Sequence, residues 1–177
     1  KYAEDEATEV ANILPGSKIF LRKEATEAAL QKYGNSYRYL HFATHGQFDP
    51  EAPLKSALLL APDSQYSGIL SVEKLYSLNL DAYLVTLSAC ETGLSKIANG
   101  DDLVGLTRGF LYAGSSSIVA SLWKVDDRAT AELMTRFYKG LLTHDKVEAL
   151  RVAQLETKKK YPHPYYWGPF QLTGNAK

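Results

Sequence analysis

Apolar residues recur at helical spacing among charged ones over residues 3–14, and the pattern stops at Pro15-Gly16, which predicts an amphipathic helix with a sharp end. Lys18 to Leu21 then predicts a short strand, and Glu24 to about Tyr33 a second helix. Tyr37 to Ala43 is rich in aromatic and aliphatic residues and reads as a strand closed by a turn-like Thr44-His45-Gly46. Two short apolar runs, Ala57–Leu60 and Ser67–Leu70, flank Pro62-Asp63-Ser64-Gln65 and predict a hairpin at a sheet edge. Ser71 is placed to cap a short helix through Leu75. Tyr83 to Leu87 is almost continuously apolar, as in a strand buried on both faces. Beyond it the pattern predicts a helix over 102–113, a buried strand from Ser117 to Leu122, helices over 127–142 and 146–160, and a last strand from about Tyr166 to Leu172.

Strands and helices therefore alternate, which predicts an α/β fold: a mostly parallel central sheet covered by helices on both faces. Ligands of such sheets bind beyond the carboxyl ends of the strands. Two residues able to do chemistry, His45 and Cys90, fall at the ends of two different core strands. There is no internal repeat, low-complexity tract or linker, so residues 1–177 are expected to form one domain. The chain opens on Lys1, inside a helical pattern. An early strand ahead of Lys1 is therefore expected to be missing, the sequence being a piece of something longer.

Lys plus Arg and Asp plus Glu number 20 each, so no global field draws the chain to nucleic acid or to an anionic membrane. No apolar run reaches spanning length, and the acidic start is unlike a leader peptide. The single cysteine, Cys90, excludes an internal disulfide framework and a multi-thiolate zinc site, and it suits a reducing, cytoplasmic compartment. A phosphate-binding glycine loop, a Gly-x-Ser-x-Gly elbow and a basic aromatic stripe are all absent, which removes nucleotide-dependent and serine-hydrolase readings.

Cys90 stands in Leu87-Ser88-Ala89-Cys90-Glu91-Thr92-Gly93, where an apolar strand gives way to small and polar residues. A lone cysteine is by default a buried core residue. His45 changes that balance, because an imidazole beside a thiol favours the thiolate and can return a proton to a leaving amine. Gly46 lets main-chain N–H groups approach a carbonyl closely, so Gly46 and Cys90 are candidates for an oxyanion hole. His41 and His45 are four residues apart but lack the glutamate and the helix of a zinc motif, so His41 reads as a buried or partner-bonded histidine supporting its strand. Neither a metal nor an organic cofactor is expected. Asp101-Asp102 and Asp126-Asp127 each precede a helix, where capping explains them. The second pair also lies at the sheet edge expected for Cys90, where it could select a basic residue.

Several ordered motifs carry a resemblance across nearly the whole chain. His41-Phe42-Ala43-Thr44-His45-Gly46, Leu87 to Gly93, Gly109-Phe110-Leu111-Tyr112-Ala113-Gly114, Val119 to Asp127 and Pro164-Tyr165-Tyr166-Trp167-Gly168-Pro169-Phe170 resemble the CHAT domain, a caspase-like family of clan CD related to separase. The resemblance implies a caspase-like three-layer sandwich and a cysteine endopeptidase, with the family histidine matching His45 and the family cysteine matching Cys90. The two lie 45 residues apart, near the spacing of about 50 known for caspases. It further implies a protein substrate, no nucleic acid or membrane partner, and a C-terminal place in longer, mostly bacterial proteins behind tetratricopeptide repeats or another regulatory partner. By analogy with separases, Asp126 and Asp127 would bind a basic residue of the substrate. Two other readings stay open: a catalytically silent interaction module, and a cysteine-dependent acyl transferase or non-peptide hydrolase.

Overall fold

The computed structural model describes residues 2–47, 49, 51–88, 90–91 and 101–177, with the backbone alone at 90–91 and 101–104. The elements run α1 (Tyr2–Ile13), α2 (Glu27–Tyr33), β1 (Tyr39–Phe42), β2 (His45–Gln47), β3 (Ala57–Leu59), β4 (Ile69–Ser71), α3 (Val72–Leu75), β5 (Leu84–Leu87), β6 (Cys90–Glu91), α4 (Asp101–Tyr112), β7 (Ser117–Ser121), α5 (Asp127–Gly140), α6 (Lys146–Lys160) and β8 (Phe170–Gly174). The central sheet has the order β1-β5-β7-β8, parallel except for the antiparallel β8.

The apolar run at β5 is buried at every position because helices cover both faces. Leu84 joins the core formed with Val10, Leu133, Met134 and Phe137 of α1 and α5, while Val85 and Leu87 join the opposite core of Leu75, Leu106 and Phe110 from α3 and α4. The next parallel strand repeats the alternation, with Val119 on the first side and Ile118 and Ala120 on the second. This is the three-layer sandwich that the alternating sequence predicts. Gly114 closes α4 at φ +107°, and a Cβ there would stand 1.9 Å from the Leu80 carbonyl oxygen, so the turn into β7 admits only glycine.

Caps fix the helix starts, at Ser71 and Asp126 where the sequence suggested them and at Thr26 and Asp145 where it was not read. Thr26, Ser71, Asp126 and Asp145 each accept a main-chain N–H from the first turn of α2, α3, α5 and α6. Three expectations need correction. Lys18–Leu21 is not a strand, because an extended segment becomes one only with a partner, and none of the described residues pairs with it. The second helix starts at Glu27, a 3-10 turn occupying Arg22–Glu24. The last strand runs Phe170–Gly174, because Pro164 opens a 3-10 turn that His163 caps by accepting the Tyr165 N–H.

A second, smaller sheet has the order β4-β3-β2-β6. It contains the expected hairpin, β3 with β4. Its other two strands prolong central ones: β1 breaks at residues 43–44 and resumes as β2, and β5 resumes as β6. At the first break the Thr44 hydroxyl donates to the Leu59 carbonyl, tying the turn to the hairpin.

Candidate active site

Both residues singled out for chemistry lie on these prolongations. The ladder between β1 and β5 ends where Ser88 N–H donates to Phe42 O at 3.1 Å, and pairing resumes in parallel with His45 beside Cys90 and Gly46 beside Glu91. His45 and Cys90 are therefore in register on neighbouring strands, a separation of about 4.8 Å between strand axes. The turn expected at Thr44-His45-Gly46 is instead a break at Thr44 followed by strand. That strand runs exposed, buried, exposed, so His45 stands in solvent while Gly46 is enclosed between Leu58 and Glu91 in the ladder. Thr92 and Gly93 lie outside the described residues, as do the side chains of Asp101 and Asp102.

At the carboxyl end of β7 the chain turns through residues 122–126 into α5. Asp126 caps this helix, its Oδ1 accepting the N–H groups of Arg128 at 3.1 Å and Ala129 at 3.0 Å. Asp127 lies in the first turn, and both aspartates are exposed. The turn itself is held in place: Ser121 Oγ donates to Trp123 O at 2.6 Å, Leu122 N–H to Pro169 O at 3.1 Å, and Trp123 Nε1–H to Tyr165 O at 3.2 Å. Leu122, Trp123 and Tyr165 are exposed, an apolar surface beside the aspartates that sequence reading did not single out. Its signal was available in part, since Trp123 and Tyr165 sit just outside predicted core elements, whereas Leu122 ends a predicted buried strand.

His41, four residues before His45, does different work. Its Nε2 lies 2.8 Å from Glu6 Oε1 of α1, and the Tyr138 hydroxyl of α5 lies 3.3 Å from its Nδ1 and donates to Thr86 Oγ1 at 2.9 Å. Burial pushes the Tyr138 phenol well above its ordinary range, with the Thr86 hydrogen bond only partly opposing it. This buried chain joins α1, β1, α5 and β5, and it fits the reading of His41 as a partner-bonded support. Of the other histidines, His144 lies in the turn after α5 and His163 caps a turn. Among the described residues no group of three His, Cys, Asp or Glu could hold a metal ion, and no helix is long and apolar enough to cross a membrane.

The whole chain can be set beside known proteins. It is 34% identical over 128 residues to tetratricopeptide repeat protein 28 of Mus musculus and 33% identical over 128 residues to that of Homo sapiens. Each match covers 70% of this chain but 5% of the relative, so the chain spans a small part of the length of those proteins. Both relatives are mammalian, whereas the resemblance suggested a mostly bacterial setting. A family model described as the CHAT domain matches residues 1–175, every motif from His41 to Phe170 included. On that match and on its caspase-like sandwich, the chain belongs to the CHAT domain family.

Proposed function

We propose that the domain is a cysteine endopeptidase in which Cys90 is the nucleophile and His45 the acid–base residue. The observation that carries this reading is the parallel register of His45 with Cys90 at the carboxyl end of the sheet. The Cys90 thiolate attacks the scissile carbonyl carbon, a C–S bond forms, and the π electrons move onto the oxygen. Main-chain N–H groups at Gly46 and Cys90 hold that oxyanion. Its collapse breaks the C–N bond, and His45 gives its proton to the departing amine. Water, deprotonated by His45, then attacks the thioester and releases the acid and the thiolate. No step calls on a metal or organic cofactor.

Asp126 and Asp127 supply negative charge at the same edge, which suits a substrate with a basic residue before the cut. The exposed Leu122, Trp123 and Tyr165 suit apolar residues around it. The repeats in the relatives' names support control of this domain by a tetratricopeptide-repeat region or a partner; its place as the C-terminal effector of a longer cytoplasmic polypeptide is part of the same proposal.

Thiol reactivity tests the reading. In the full-length protein, Cys90 is expected to alkylate faster than free cysteine near neutral pH, and His45→Ala to remove the excess. A slow thiol indifferent to His45, or a Cys90→Ala protein that still cleaves its substrate, overturns it. The slow thiol would instead favour an interaction module, the reading that the relatives' repeat-based name supports.

A further inference from the structure

His41 and Thr86 are partners in the parallel ladder between β1 and β5, and His45 and Cys90 are partners in the parallel ladder between β2 and β6. Each segment passes from the first pair to the second in four residues, so the register survives both breaks. The same two segments thus carry two side-by-side pairs: a histidine with a hydroxyl residue inside the sandwich, and a histidine with the thiol residue where the strands emerge. The inner pair is bridged. The Tyr138 hydroxyl lies 3.3 Å from His41 Nδ1 and donates to Thr86 Oγ1 at 2.9 Å, so one phenol group of α5 touches both strands. Tyr138 and Thr86 are fully buried. Glu6 of α1 holds the other ring nitrogen of His41 at 2.8 Å, and the Tyr138 ring meets the imidazole in a T-shaped contact, 5.4 Å between centroids.

Apolar packing alone does not fix the geometry of these strands closely enough for chemistry. The alternation of Leu84, Val85 and Leu87 between two cores sets the register to the nearest residue, since a slip by one would turn every side chain to the other face. Apolar contact is non-directional, however, and leaves the finer spacing and shear of two strands loosely held. A hydrogen bond holds its atoms within about half an ångström and to a preferred direction. Among the described residues, the Tyr138 bridge is the last side-chain tie between β1 and β5 before the strands break.

We infer that Tyr138 is a positioning residue for the proposed reaction: by bridging His41 to Thr86 it sets the spacing and shear of β1 against β5, and the unbroken register passes that setting on to His45 and Cys90. Glu6 supports the bridge by orienting the His41 ring. The helix that carries Tyr138 also begins at Asp126, so α5 holds both the reacting pair and the proposed acidic edge in one frame. The inference rests on the peptidase reading and gives the buried polar chain a part in it, since a displacement of about 1 Å between reacting groups costs up to about 10²-fold in rate.

Cys90 alkylation in hydroxyl-deletion variants of the full-length protein tests it. Tyr138→Phe and Thr86→Val each remove a bridging hydroxyl with little change of shape, and Thr86→Ser keeps one. Ser117→Ala is the control: Ser117 is also fully buried, but its Oγ donates to Tyr83 O at 2.8 Å from β7, away from β1. At matched folded fraction, the His45-dependent excess in alkylation rate is expected to fall at least about tenfold in Tyr138→Phe and Thr86→Val, with the pH profile moving toward that of His45→Ala. It should be kept in Thr86→Ser and in Ser117→Ala. An excess that survives in both bridge variants overturns the inference and leaves the peptidase reading standing. An equal loss in Ser117→Ala also overturns it, because general loosening of the sandwich would then suffice. No excess in the parent protein overturns the peptidase reading, and the inference with it.

Discussion

Two chain segments run from one sheet into the other, but the sheets are built for different ends. In the central sheet β5 is buried at all four positions and its side chains alternate between two helix-backed cores. In the small sheet β2 exposes His45 and Gln47 on either side of a buried Gly46. The same two polypeptide segments pass from one regime to the other within a few residues. Stability is thus concentrated where the strands are covered and the proposed chemistry where they emerge, and substitutions on the two sides of the breaks should have separable effects.

The widest separation is expected at Cys90. Replacing it with alanine should reduce peptide cleavage by about 10³-fold or more, as for the loss of a catalytic nucleophile. The unfolding midpoint should hardly move. A large loss of stability with activity retained would invert the comparison. On the covered side, Phe110 is fully buried and meets the Phe42 ring at 5.4 Å between centroids. Phe110→Ala should cost about 3–5 kcal/mol in denaturant unfolding. Against a total of about 5–15 kcal/mol that is a large share, and any activity lost should track the folded fraction.

Asp126 sits on the boundary between the two regimes, being both the cap of α5 and part of the proposed acidic edge. Asp126→Ala should lower stability by about 1 kcal/mol and also weaken cleavage after basic residues. Asp127→Asn should show the second effect with little of the first. Equal stability losses from the two would mean that the capping bonds of Asp126 contribute little.

How much of this was legible from sequence follows the same division. The run at β5, the caps at Ser71 and Asp126, and α6 at Lys146–Lys160 could be read because periodicity and capping are local properties. Lys18–Leu21 could not, since whether an extended segment becomes a strand depends on a neighbour distant in sequence. Tyr166 and Trp167 looked like the start of the last strand, but Pro164 turns this stretch into the approach to β8. At the site, sequence placed His45 and Cys90 near strand ends. Their register is a product of parallel strand order and of two breaks too short to leave a pattern. Glu6 read as one more polar position on an amphipathic helix, and only the packing of α1 on β1 makes it the partner of His41.

The smallest effect probes the covered side from its rim. Glu132 on α5 accepts hydrogen bonds from Lys160 Nζ at 2.6 Å and the Tyr161 hydroxyl at 3.1 Å, joining α5 to the end of α6. Burial pushes its carboxyl upward, but Lys160, Tyr161 and Arg136 outweigh this and hold it below the usual carboxylate range. A carboxylate held low in the folded state binds its proton less readily there than in the unfolded chain. Its contribution is therefore complete above the unfolded value, near 4.5, and is lost as pH falls through the lower folded value. Glu132→Gln should cost about 0.5 kcal/mol at neutral pH, the scale of a partly exposed ion pair, with the difference from the parent vanishing in acid. Because the contact involves no residue of β2 or β6, Cys90 alkylation should be unchanged in this variant. A change there would mean that the two regimes are coupled across the sandwich.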